Sequence, residues 1–163
     1  ERRYQALRAM ADKAKKKPVV LAELKQGSAW YVPGGRSVTG QMYADAGAHY
    51  AFGSIAENGA SPLSFETVYD RARHADYWLG EYNQKNDKTY AELEQDYRPY
   101  TGFDAFRKRK IYGCNTAKVS YYEEIPFHPE RLLKDLIAVF HPDMFPDYQA
   151  RYFTPLRERN ESK

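Results

Sequence analysis

Short apolar runs alternate with helix-patterned stretches along this chain, and that alternation is the strongest constraint on its fold. PVVLAEL (18–24), HYAFG (49–53), DYWLG (76–80) and KIYGC (110–114) each read as a short strand. Before the first of them, Tyr4, Leu7, Met10, Ala11 and Ala14 recur at helical spacing. The Lys15–Lys17 run suits the carbonyl end of that helix, and Pro18 stops it. A second helix is expected from Ser37, with Val38, Met42, Tyr43 and Ala46 on one face and Gly47 as its stop.

Ser64 is a candidate N-cap for FETVYDRARHA, with Glu66 in the first turn and Val68, Tyr69 and Ala72 facing inward. Thr89 and Glu92 have capping-box spacing. Pro129 opens the last long helix, whose stripe is Leu132, Leu133, Leu136, Ile137 and Phe140, and Pro142 closes it. Residues 25–35 and 54–62 read as loops, and the tail RERNESK (157–163) is expected to fray. The pattern predicts an α/β fold: a mainly parallel sheet covered by helices on both faces, in three layers.

Composition narrows the function classes. At 163 residues the chain is long enough for one domain with a core, and 42% hydrophobic residues exclude a disordered chain. The formal charge of +3, with both signs interspersed, argues against a nucleic-acid partner. No apolar run reaches membrane-spanning length and no signal peptide is visible. The opening ERRYQALRAM lacks an initiator methionine and reads as the middle of a larger protein. The single cysteine, Cys114, excludes an internal disulfide, and neither it nor His49, His74, His128 and His141 has metal-ligand spacing. The 15 tyrosines point to surfaces that contact something.

Ligands of parallel sheets meet the loops beyond the carboxyl ends of the strands. The loop after the first strand holds Trp30 and Tyr31, then the turn PGGRS (33–37), where Arg36 adds charge before Ser37 starts a helix. Such a turn either cradles an anion or only begins a helix; it lacks both the Walker ending and the dinucleotide fingerprint. Tyr121 and Tyr122 follow the last expected strand, beside the adjacent pair Glu123 and Glu124. Loop aromatics on one sheet edge suit a large flat or apolar ligand. No serine or cysteine sits in a nucleophile elbow, so no catalytic residue is assigned.

Four segments taken in order carry a resemblance: ERRYQALRAMADKAKKKPVV, AWYVPGGRSVTGQMYADAGAHYAFG, SPLSFETVYDRARHADYWL and FHPERLLKDLIAVFHPDMFPDY. Together they are similar to the C-terminal lobe of the periplasmic substrate-binding proteins of ABC importers for cobalamin and iron complexes, such as siderophores and haem. That family joins two lobes by a rigid helix. The resemblance implies that residues 1–17 end the inter-lobe helix, 18–156 form the lobe, and 157–163 are a polar tail. It implies a periplasmic parent protein, usually lipid-anchored and not an enzyme, without a cofactor, holding its ligand between this lobe and an N-terminal lobe. Trp30, Tyr31, Arg36 and Ser37 match the first cleft loop, Tyr121 and Tyr122 the far rim, and Glu66 the acidic residue that docks on permease arginines. The family pattern has a longer glycine- and asparagine-rich stretch after Cys114, shortened here to NTAKVSYYEEIPF. Two other readings compete: a small α/β phosphate- or nucleotide-binding enzyme using PGGRS, and an interaction domain that has lost transport.

Overall fold

A computed structural model describes residues 1–160. The chain runs α1 (Arg2–Asp12), β1 (Val19–Ala22), β2 (Trp30–Pro33), α2 (Val38–Asp45), β3 (His49–Tyr50), β4 (Ala60–Leu63), α3 (Phe65–Ala72) and β5 (Tyr77–Tyr82). It continues through α4 (Tyr90–Asp96), α5 (Asp104–Arg107), β6 (Ile111–Asn115), α6 (Tyr121–Glu124), α7 (Pro129–Phe140) and β7 (Thr154–Pro155). Five strands form one sheet in the order β3-β1-β5-β6-β7. The first four are mutually parallel, and β7 returns antiparallel on β6.

The expected α/β fold is present, and side-chain alternation shows why both sheet faces are covered. Neighbouring residues of a strand point to opposite faces. Tyr77 meets Phe140 of α7, whereas Trp78 meets Tyr100 and Phe103 beside α5. Helices α1 and α2 pack with α7, while α4 and α5 pack around the 3₁₀ turn Arg98–Gly102. The central strands are therefore apolar on both sides, and Val20, Leu21, Ala22, Trp78 and Leu79 are fully buried. Cys114 is buried in β6, and burial pushes its thiol up to about 12, which leaves it an inert packing group.

The hydroxyl caps form at the expected positions. Ser37, Ser64 and Thr89 accept from the backbone N–H groups of Gly40, Thr67 and Glu92. The Glu92 carboxylate instead accepts from the Gln84 side chain. Four expectations fail. The stretch 25–35 is not all loop: Trp30–Pro33 pairs antiparallel with Ala60–Leu63, itself expected to lie largely in a loop. Helix α1 ends at Asp12, so the lysine run lies beyond it, and Val38 faces solvent rather than the core. The tail is tied down as far as Glu158, because Tyr90 and Ala91 N–H donate to the carbonyls of Arg157 and Glu158, and Arg109 Nε donates to Glu158 at 2.6 Å. These contacts supply partners for the first N–H groups of α4. Residues 161–163 of that tail lie outside the described residues.

A buried carboxylate organises the return from α7 to β7. Asp135 is fully buried on α7 and accepts from the Tyr148 hydroxyl and from the N–H groups of Arg151, Tyr152 and Phe153. A charge out of water is tolerated only with this degree of hydrogen bonding. Asp135→Ala leaves three backbone donors without their acceptor. It is expected to cost about 3 kcal/mol in urea unfolding, and a loss no larger than that of an average surface substitution would contradict the assignment.

Candidate ligand-binding site

The carboxyl ends of β1, β5 and β6 form one edge of the sheet, and two indoles shape its first corner. Trp30 Nε1 donates to Ala22 O at 3.0 Å, and Trp78 Nε1 donates to Glu23 O at 2.8 Å. Glu23 N donates to Leu79 O at 2.7 Å. Held on both sides, Glu23 takes a left-handed conformation with φ of 73°. A residue with a β-carbon pays about 1–2 kcal/mol for that conformation, here offset by the hydrogen bonds at its two ends.

The turn brings the Glu23 carboxyl beside Glu81, near the end of β5. Glu81 Oε1 is buried and, among the described residues, has no hydrogen-bond partner. Burial, then the charge of Glu81, pushes Glu23 up to about 9. Burial also raises Glu81, opposed by its neighbours Glu23 and Tyr122. The Tyr122 hydroxyl faces Glu81 from α6, and desolvation, then the Glu81 charge, pushes this phenol up to about 12. Tyr121 is also raised, first by burial and then by Glu81, and burial raises Tyr43 and Tyr50, with Glu23 adding to both. Two carboxyl groups in a ring of phenols can hold a proton between them and offer oxygen acceptors to a ligand. Among the described residues no group of three histidine, cysteine or acidic side chains could hold a metal ion.

The residues expected to line the site separate into buried and exposed sets. Trp30 is not a cleft wall: it is fully buried, with its ring 5.6 Å from Trp78 and 5.7 Å from Phe103. Tyr31, its neighbour on the same strand, faces outward and is 45% exposed. Ser37 is corrected too, because its hydroxyl donates to Gly34 O and accepts from Gly40 N. Tyr121 is buried, packed against Tyr152 and Phe153. Tyr122, 66% exposed and 5.2 Å from Tyr121, faces the edge together with Glu81. Arg36 and Glu66 are exposed, on the turn before α2 and in the first turn of α3.

The glycines of the PGGRS turn serve close backbone packing. Gly34 N donates to Gly59 O at 2.8 Å, Gly35 N to Ile55 O at 2.7 Å, and Ser37 N to Gly34 O at 3.1 Å. A β-carbon on Gly34 would stand 2.1 Å from Glu57 O, and one on Gly35 2.0 Å from Gly53 O. The glycines admit the loop 53–59, and the N–H groups of Gly34, Gly35 and Ser37 are engaged by that packing and by the turn itself. The enzyme reading built on that turn loses these three donors.

Residues 1–117 match the family model described as periplasmic binding protein. The chain belongs to the periplasmic binding protein family. The fold of the TroA-like periplasmic binding protein FepB from Veillonella parvula superposes with a TM-score of 0.68 at 15% identity, covering 96% of this chain and 54% of that one. The periplasmic heme-binding protein RhuT from Roseiflexus sp. RS-1 gives 0.64 at 22% identity, covering 86% of this chain and 52% of that one. An uncharacterized lipoprotein of Methanocaldococcus jannaschii is 23% identical over 154 residues, 93% of this chain and 36% of the relative. The chain thus spans about half the length of these structures and about a third of the lipoprotein. The family and these structural neighbours are binding proteins, not enzymes.

The site residues that sequence reasoning missed, Glu23 and Glu81, carry a signal in retrospect: each follows an apolar run and a small residue, as LAE and LGE. Their burial has a thermodynamic consequence. Glu23 keeps its proton in the fold up to about pH 9 while the unfolded chain ionises near pH 4.5. The group therefore costs stability progressively as pH rises through that window. Glu23→Gln is expected to raise the urea midpoint relative to wild type at about pH 8 and to leave it nearly unchanged at about pH 4. An equal effect at both would show that the buried carboxyl does not titrate this way.

Proposed function

We propose that this chain is the C-terminal lobe of a two-lobed substrate-binding protein that captures a cobalamin-like or iron-chelate ligand, such as a ferric siderophore or haem, and passes it to an ABC permease. The observation that carries this reading is the Glu23–Glu81–Tyr122 group at the carboxyl edge of the parallel sheet, where such folds receive ligands. Tyr122 offers an exposed ring for a flat ligand, and the Glu81 oxygen lacking a partner accepts a ligand donor. Tyr31 and Arg36 form the second rim. The heme-binding neighbour and the lipoprotein relative support the ligand class and a lipid-anchored periplasmic parent.

One lobe covers only part of such a ligand, so the isolated chain binds weakly and the N-terminal lobe supplies the rest. Titration of haemin, cobalamin and a ferric siderophore is followed by tryptophan quenching, with Trp30 and Trp78 as fixed buried reporters. One of the three is expected to bind, with Tyr122→Ala weakening it about tenfold. No loss in that variant would remove Tyr122 from the site, and submicromolar binding by this chain alone would contradict the half-cleft reading.

Glu66 is the docking residue in this reading: an exposed carboxylate in the first turn of α3, free to reach a permease arginine. In the parent protein, Glu66→Lys is expected to abolish stimulation of permease ATPase activity while ligand affinity stays the same. An unchanged ATPase response would exclude Glu66 from docking.

A further inference from the structure

A concavity of about 580 Å3 lies at the opposite edge, where β1, β5 and β6 begin. Lys16 and Lys17 reach it from the connector after α1, and Lys108 and Lys110 from the turn between α5 and β6. Its floor is aromatic: Tyr77 and Phe140, with ring centroids 5.7 Å apart. Lys110 Nζ stands 5.9 Å from the centre of the Tyr77 ring. Among the described residues the lysines in ion pairs are Lys88 and Lys118, so these four face the cavity without a carboxylate partner.

The acidic and imidazole groups nearby are already engaged. Asp76 Oδ2 accepts from Val19 N at 2.8 Å. His74 Nδ1 bonds Asp104 at 3.0 Å while its Nε2 accepts from Arg73 Nε. His141 Nε2 bonds Gly47 O at 3.0 Å. The carbonyl ends of α3 and α7 also point toward this edge, and cations near them are favourable. That accounts for Arg71 in the last turn of α3, while α7 has no basic residue in its own. It does not account for four lysines from two distant segments converging on one concavity, where they repel one another unless an anion joins them.

We propose that this cavity is a binding site for a soluble multivalent phosphoryl anion, held by Lys16, Lys17, Lys108 and Lys110 over the Tyr77–Phe140 floor. The site is separate from the Glu23–Glu81 edge and does not depend on the transport reading. Lysine suits this ligand class, because an ammonium binds phosphoryl oxygens as a compact point charge.

Calorimetric titration of the 163-residue chain with sodium tripolyphosphate tests the proposal. Saturable binding is expected, weakening as salt is raised. Lys16→Gln with Lys17→Gln, and Lys108→Gln with Lys110→Gln, should each weaken it about tenfold, while Lys85→Gln with Lys118→Gln leaves it within about twofold. The four cavity lysines are exposed, so these variants keep the fold, which thermal melting verifies. Flotation with phosphatidylglycerol–phosphatidylcholine vesicles separates a soluble anion from a lipid headgroup. No saturable tripolyphosphate binding at millimolar concentration would overturn the proposal. So would equal weakening by the control pair, or vesicle binding without tripolyphosphate binding.

Discussion

Two indole N–H groups that close the end of β1 are the contacts on which the ligand edge depends. Trp30 and Trp78 come from different strands, yet they donate to successive carbonyls, those of Ala22 and Glu23. Each bond satisfies a carbonyl that the sheet no longer pairs, and each indole also fills the core. Together they fasten the β2–β4 ribbon to the main sheet and hold Glu23 in a conformation that a non-glycine residue rarely adopts. The position of the buried carboxyl pair beside Tyr122 follows from that clamp.

Much of the fold was legible because it is encoded locally. Caps at Ser37, Ser64 and Thr89, the proline that opens α7, and the apolar runs of β1, β5 and β6 need only a few neighbouring residues to be read. The ribbon was not legible. Its second strand, ASPL, has poor strand propensity and contains proline, and its partner lies far back in the chain. Trp30 and Tyr31 therefore looked like a loop pair with one shared purpose. The pleat of β2 gives them opposite ones: Trp30 builds the core and Tyr31 meets solvent. Glu23 and Glu81 escaped notice for a similar reason. Each is an ordinary glutamate in its own segment, and only the parallel pairing of β1 with β5 makes them neighbours.

Charge is arranged along the strands in a way that the net value of +3 conceals. The carboxyl edge carries paired carboxyl groups and phenols, most of them drawn out of water. The amino edge carries lysines that remain exposed around an aromatic floor. In the acidic group, desolvation dominates and raises proton affinity. The basic group stays in contact with water, so salt only weakens the repulsion within it. The two ends of one sheet thus present different chemistry, although the strands between them are uniformly apolar.

The two-residue strands β3 and β7 stand at the margins of the five-stranded sheet. Each is too short to template a further strand, and β7 ends in Pro155, which has no N–H to offer one. The β2–β4 ribbon carries Pro33 and Pro62 within its own strands. A sheet with such blunted borders resists edge-to-edge growth into aggregates even when many copies crowd together. The chain can thus keep a fully apolar sheet interior without turning its rim into an adhesive.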